Sequence, residues 1–386
     1  MPKKIIILGA TGSIGASALS VAANLPGEFE IVALAGGKNA QRMAELVKTW
    51  RPRVAVLTSD QAAAELRGSL EKGSRADIWT GHQALVRLVK ELDCDFVLSG
   101  IVGVAALPAT LAAVERGLTI GLANKECLVV AGELLVAAAA KSGAKLIPID
   151  SEHSAIYQSL HSGRHEEIER ILLTASGGPF RTWSAEKMRT ATVEDAMKHP
   201  TWAMGPKITV DSATMMNKAL EIIEAKWLFD VEPERIEVVI HPESIIHSMV
   251  AFRDGSVVAQ MGQPDMRMPI QYAMTYPRRL TGASERLEFS RLGRMHFEPP
   301  DLERFPALRL GHEVARRSGT AGAALNGANE AAVELFREGR IGFLDIAEVV
   351  EDVLERHEHK NHPSLQALMQ IDAWARSETR NWKREA

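Results

Sequence analysis

Cysteine is nearly absent from this chain: Cys94 and Cys127 are the only two in 386 residues. That excludes a disulfide framework and a thiolate zinc site, both of which need more sulfur at closer spacing. A large excess of charge of either sign is also missing, the formal net charge being −4. Nucleic acid or an anionic membrane surface would call for a basic stripe, and the charge gives that no support. Long apolar runs are lacking as well. The amino-terminal MPKKIIILGATG goes straight into a short strand, too brief for a signal-peptide core or a membrane span. Internal repeats and low-complexity tracts are absent. The chain reads as a reduced, cytoplasmic protein.

What remains is ordinary globular material, 46% apolar and 24% charged. The length exceeds one core, so two or three domains are expected. Lys3 to Leu8 is a β-branched, almost continuous apolar run, suited to a strand buried on both faces of a parallel sheet. GATGSIG follows at once, with Gly9, Gly12 and Gly15 opening the helical pattern ASALSVAANL. A tight glycine turn here lets backbone N–H groups approach a pyrophosphate at a helix N-terminus. The spacing is G-x-x-G-x-x-G rather than the general G-x-G-x-x-G, and its weight comes from the strand–turn–helix context.

The second strand, FEIVALAG, ends in Gly36, Gly37, Lys38 and Asn39. An NAD site usually places an acid there, and a cation instead favours the 2′-phosphate of NADP. The alternative is that Lys38 is an ordinary solvated lysine. Strand–helix alternation continues through RVAVLT, DFVLSGI, LTIGLAN and KLIPI, which predicts a doubly wound sheet over residues 1–150. Ligands collect at the carboxyl ends of such strands. Asn124, Lys125, Glu126, Asp150 and Glu152 fall at those ends and can face one crevice.

Asp150 and Glu152 stand two apart where a strand finishes, so an extended backbone would send both carboxylates to one side. Capping of the next helix by Asp150 or Ser151 is the plainer alternative, and His153 reads as a supporting residue. Downstream, MNKALEIIEAKWLF places Met216, Leu220, Ile223 and Trp227 on one stripe and Asn217, Lys218, Glu221 and Glu224 on the opposite arc. A solvated face explains Glu224. Glu221 is the candidate third acid, with Ser212, Asn217 and Lys218 as substrate donors. Three acids with oxygen ligands suit Mg²⁺ or Mn²⁺, and the lysine with hydroxyl and amide donors suits a phosphate.

Between these segments, Ser176, Gly177 and Gly178 can form a backbone nest or a plain turn. His199 and Trp202 lie in a Pro- and Gly-rich stretch with the composition of a closing loop. VVIHPESIIHSMVAFRDGSVVAQMG alternates as strands around a DGS turn, predicting an antiparallel sheet whose open edge suits a dimer. His241 and His247 lack metal-ligand spacing and read as core or interface residues. A polar connector spans 277–306, and 307–386 reads as a separate helical domain.

GATGSIG, LANKE, PIDSEHSAI, SGGPFR, HPTWAMG, DSATMMNK, HPESIIHSM and PDMRMPI, in this order, resemble the 1-deoxy-D-xylulose 5-phosphate reductoisomerase family over nearly the whole chain. The resemblance implies an α/β protein in three parts. These are a Rossmann-like doubly wound NADPH domain (1–150), an α+β catalytic and dimerisation domain with a lid loop (151–276), and the C-terminal helical domain beyond the linker. It implies a homodimer that converts 1-deoxy-D-xylulose 5-phosphate into 2-C-methyl-D-erythritol 4-phosphate for isoprenoid precursors. Thr11, Gly12, Ser13, Ile14, Gly36, Gly37, Lys38, Asn39, Asn124, Glu126 and Gly205 then match cofactor contacts. Asp150, Glu152 and Glu221 match metal ligands. Lys125, Ser151, Glu152, Ser176, His199, Trp202, Ser212, Asn217, Lys218 and Glu221 match substrate contacts, and Glu152, Lys125 and His199 match the catalytic set. Cys127, Ala219 and Gly36 depart from the family pattern, and Cys127 would make the site sensitive to thiol reagents. The rival readings are a simple NADP-dependent sugar-phosphate dehydrogenase and a nucleotide-binding regulatory protein.

Overall fold

A computed structural model describes residues 1–70, 75–202 and 204–383. The chain divides into two compact units, one of residues 1–127, 135–154 and 265–285, the other of 128–134, 155–264 and 286–386.

The first unit is built on seven parallel strands: β1 (Lys3–Leu8), β2 (Phe29–Gly36), β3 (Val54–Leu57), β4 (Asp77–Thr80), β5 (Phe96–Ser99), β6 (Thr119–Leu122) and β7 (Lys145–Pro148). Their order is β4-β3-β2-β1-β5-β6-β7, so the winding direction reverses between β1 and β5. Ile5, Ile6, Ile7 and Leu8 of the central strand are wholly buried, as both-face coverage by helices demands. Glycine is obligatory at the turn after β1. A Cβ on Gly9, whose φ is +92°, would sit 2.5 Å from the carbonyl oxygen of Gly100, the residue following β5. A Cβ on Gly15 would meet the Ala10 Cα at 2.5 Å, so helix Ser13–Asn24 packs onto its own strand only with glycine there.

Helix Arg267–Thr275 belongs to this unit, where it packs on helix Ser13–Asn24. Lys3 Nζ also donates to the Met274 carbonyl at 2.7 Å. Segment 265–285 thus folds with the dinucleotide-type sheet, although the sequence pattern assigns it to the catalytic part and the connector.

The second unit holds β8 (Ile168–Ala175), β9 (Ile236–Ile240), β10 (Ile246–Phe252) and β11 (Val257–Met261), in the order β11-β10-β8-β9. The expected antiparallel sheet is in fact mixed, because β8 and β9 run parallel. A parallel pair needs a long crossover, and residues 176–235 supply one, including helices Pro206–Ala213 and Met216–Phe229. The C-terminal helices do not stand apart. Helix Ala307–Arg317 packs on Met216–Phe229, and a Cβ on Gly311 would lie 2.7 Å from the Ala219 Cα. The small residue at 219 therefore sits where two helices touch. Among the described residues no helix is long and apolar enough to cross a membrane.

His357 is buried beside Trp374, ring centroids 5.8 Å apart, and among the described residues neither ring nitrogen has a hydrogen-bond partner. Burial, aided by the positive charge of Arg317, lowers its pKa from 6.5 to about 4. A group depressed on folding contributes stability above its unfolded value and loses it as pH falls toward the folded one. The loss between pH 7.5 and 5 should be about 2 kcal/mol. Urea unfolding of wild type and His357→Phe at both pH values checks this. The variant should lose about 2 kcal/mol less than wild type on acidification, and equal losses would contradict the assignment.

Candidate active site

In the first unit the candidate groups gather at the carboxyl ends of β1, β2, β6 and β7. Gly12 is the N-cap of helix Ser13–Asn24, and Gly12, Ser13, Gly37, Lys38 and Asn39 are exposed there. This leaves backbone N–H groups and one lysine facing outward at the point where the sheet reverses, an arrangement suited to a pyrophosphate and a further phosphate. Thr11 and Ile14 are half-buried packing residues. A Cβ on Gly36 would meet Thr11 Oγ1 at 3.0 Å, and one on Gly100 would meet Ile14 Cγ2 at 3.1 Å. Gly36 thus makes room for Thr11.

Asn124 caps helix Lys125–Ser142, its Oδ1 accepting from the Cys127 N–H at 2.9 Å. Its Nδ2 donates to the carbonyls of Ile101 and Gly103. The side chain is therefore occupied in clamping the loop after β5 to the start of helix Lys125–Ser142. Lys125 and Glu126 are both buried. Lys125 Nζ forms an ion pair with Asp150, which follows β7.

Asp150 accepts from the Ser151 N–H at 3.1 Å, and helix Ser151–Ser159 begins directly after it. Glu152 lies in that helix's first turn, so the extended i, i+2 geometry expected of the acid pair does not apply. Helix start and acid pair coincide instead. Ser151 Oγ donates to Glu152 Oε2 at 2.5 Å, and His153 Nδ1 lies 3.9 Å from Asp150, in keeping with a supporting role.

The second unit carries the remaining candidates. Ser176 follows β8, and its Oγ meets His199 Nε2 at 3.1 Å. His199 Nδ1 accepts from the backbone N–H groups of Thr201 and Trp202 at 3.2 and 2.9 Å. An imidazole accepting at Nδ1 carries its proton at Nε2, so His199 donates to Ser176. The Gly178 N–H also donates to that hydroxyl, leaving the serine's own proton for an incoming anion. Gly177 and Gly178 both have positive φ, at +83° and +68°. The Trp202 ring lies 6.3 Å from that of His247. Ala203 of the HPTWAMG motif falls outside the described residues. Gly205 caps helix Pro206–Ala213, which carries half-buried Ser212 in its last turn.

Helix Met216–Phe229 follows a left-handed residue, Met215, at φ +61°. Asn217 Nδ2 donates to Glu221 Oε1 at 2.5 Å, and Lys218 Nζ donates to Glu221 Oε2. Glu221 is wholly buried and Lys218 is 3% exposed. Glu224 is also wholly buried, which overturns its reading as a solvated surface acid. The arc is covered because this helix has neighbours on more than one side, with helices Ala307–Arg317 and Pro206–Ala213 packing on it and β9 beside it.

Two polar residues escaped the sequence reading, Asp211 and Asn329, both buried. The available signal was an asparagine pair in an otherwise alanine-rich helix. His241, by contrast, is the expected core histidine, its Nε2 accepting from the N–H groups of Ile245 and Ile246.

A doubly wound parallel sheet, with a glycine turn at its reversal and an acid–lysine rim beside it, defines a dinucleotide-fold enzyme. Family models match in three blocks. 1-deoxy-D-xylulose 5-phosphate reductoisomerase matches residues 5–132, its C-terminal domain 146–229, and the DXP reductoisomerase C-terminal domain 261–378. The chain belongs to the 1-deoxy-D-xylulose 5-phosphate reductoisomerase family. It is 48% identical to the Chloroherpeton thalassium member over 97% of this chain and 96% of that one. It is 49% identical to the Symbiobacterium thermophilum member over 98% of both. The Zymomonas mobilis enzyme, solved in complex with NADPH, superposes with a TM-score of 0.93 at 42% identity over 98% of each chain. A DOX-P reductoisomerase solved with NADPH, fosmidomycin and magnesium gives 0.92 at 38% identity, again over 98% of each.

Cys127 is wholly buried, its Sγ 3.8 Å from Thr110 Oγ1, so the expected sensitivity to thiol reagents does not fit the structure. Burial also pushes the Cys94 thiol up to about 11. Because the thiolate is the reactive species, an aromatic disulfide reagent at pH 8 should give no signal until denaturant is added, then two thiols per chain. One fast thiol in the folded protein would contradict this.

Proposed function

We propose that the chain catalyses the NADPH- and divalent-metal-dependent rearrangement and reduction of 1-deoxy-D-xylulose 5-phosphate to 2-C-methyl-D-erythritol 4-phosphate. The observation that carries the reading is a dinucleotide turn and a buried acid–lysine set in one chain of this family. Ser13 and Lys38 offer exposed donors where NADPH would lie, with Thr11, Gly12, Ile14, Gly36, Gly37, Asn39, Asn124, Glu126 and Gly205 shaping or lining that site. Asp150, Glu152 and Glu221 would hold Mg²⁺ or Mn²⁺, since all three offer only oxygen. When bound, the cation supplies Lewis acidity to the substrate's carbonyl and hydroxyl oxygens, and NADPH supplies hydride.

The chain's own groups do the rest. Ser176, Ser212, Asn217 and Lys218 take the phosphate, with Lys218 as its counter-charge. His199, neutral and donating from Nε2, sets the Ser176 hydroxyl so that its proton faces that anion. Lys125 and Ser151 hold the substrate beside Asp150, and Glu152 carries protons as the carbon skeleton breaks and rejoins. Trp202 closes over the bound substrate and keeps water from the fragments. A simple sugar-phosphate dehydrogenase would need no such acid set, and a regulatory protein would show no turnover.

The assignment extends to a homodimer and a cytoplasmic setting. β11 is an outer strand with Val257 51% exposed, an edge that a second copy can cover. Two buried cysteine thiols suit a reducing compartment. The test of function is absorbance at 340 nm with NADPH and 1-deoxy-D-xylulose 5-phosphate. Oxidation should proceed with Mg²⁺ or Mn²⁺, stop with EDTA, and resume when metal is restored. NADPH binding without metal-dependent turnover would return the chain to its rivals.

A further inference from the structure

Helix Ala321–Arg337 reads AGAALNGANEAAVELFR and is buried along most of its length, yet it carries two wholly buried asparagines. Asn326 Nδ2 donates to Asp372 Oδ1 at 2.7 Å, which ties the helix to its neighbour Leu365–Arg380. Asn329 reaches the other way. Its Nδ2 donates at 2.9 Å to Oδ1 of Asp211, itself 1% exposed, on helix Pro206–Ala213. Asp211 Oδ2 meets Lys207 Nζ at 2.8 Å, one turn earlier on the same helix. Both oxygens of a buried carboxylate are thus engaged, one by a local lysine and one by an amide 118 residues further along the chain.

Asp211 immediately precedes Ser212. Helix Pro206–Ala213 is only about two turns long, so internal hydrogen bonds fix it weakly and outside contacts set its rotation. Two such contacts stand out. Gly178 rests on the last turn, where a Cβ would lie 2.6 Å from the Ser212 carbonyl oxygen. Asn329 holds the Asp211 side chain. Adjacent residues differ by about 100° around the axis, so anchoring Asp211 also fixes the direction of Ser212.

We infer that Asn329 is a positioning residue of the phosphate subsite, acting through Asp211 to aim the Ser212 hydroxyl. The inference rests on the proposed role of Ser212. Simple packing would not require the amide. Leucine fills a similar volume, whereas the Asn329 Oδ1 is buried without a hydrogen-bond partner among the described residues.

Asn329→Leu removes the donor while keeping the volume. Asn329→Ser, too short to reach Asp211, serves if the leucine variant does not fold. Either should raise KM for 1-deoxy-D-xylulose 5-phosphate about tenfold, the worth of one well-placed hydrogen bond. kcat should stay within about twofold of wild type and the KM for NADPH should not move. The thermal shift produced by inorganic phosphate should shrink in parallel. A lower melting temperature with unchanged KM and an unchanged phosphate shift would reduce Asn329 to a packing residue and overturn the inference. Absence of turnover in wild type would instead count against the proposed function, and the phosphate shift would still decide the role of Asn329.

Discussion

Charge buried beside apolar packing is the constraint on which this molecule turns. Glu221 and Lys218 lie inside the second unit's core, with Asn217 supplying the carboxylate's other hydrogen bond. Removing each ion from water costs on the order of several kcal/mol, and the pair recovers that only where hydrogen bonds satisfy it well. A purely structural helix would carry leucine at such positions. The first unit repeats the device, with Lys125 against Asp150 at the ends of adjacent strands. An acid held beside a lysine, twice over, is costly as architecture and useful as chemistry.

The surrounding fold keeps those groups in place. In the first unit, parallel strands put every candidate at one end of the sheet, and glycines at 9 and 15 allow the turn and helix to close tightly onto it. In the second, the crossover forced by the parallel β8–β9 pair carries both helices bearing phosphate candidates. The C-terminal helices complete that unit by covering helix Met216–Phe229 and by reaching Asp211 through Asn329. Stability and site geometry therefore share the same contacts.

Local patterns were the legible part. The apolar run of β1, its glycine turn, the strand–helix alternation and the oxygen-rich acid set could all be read from short stretches. Long-range packing could not. Glu224 has the periodicity of a surface acid, but helix Met216–Phe229 is packed on more than one side and the residue is wholly buried. Segment 265–285 falls by its pattern in the catalytic part and the connector, whereas Lys3 and helix Ser13–Asn24 take it up. Asn329 stands out locally only as one of two asparagines in an alanine-rich helix, and its partner, Asp211, lies on another helix that the sequence does not point to. Cys127 appeared reactive from its place beside LANKE, and its burial depends on Thr110 and neighbours that only the fold supplies.

Metal-dependent chemistry in this chain requires that Asp150, Glu152 and Glu221 hold one cation together. Manganese titration followed by electron paramagnetic resonance, on wild type and Glu221→Gln without substrate, tests this directly. Wild type should bind one Mn²⁺ per chain, and the variant should bind it at least about tenfold more weakly with NADPH affinity unchanged. Equal Mn²⁺ affinity in the two proteins would remove Glu221 from the metal site and contradict the account.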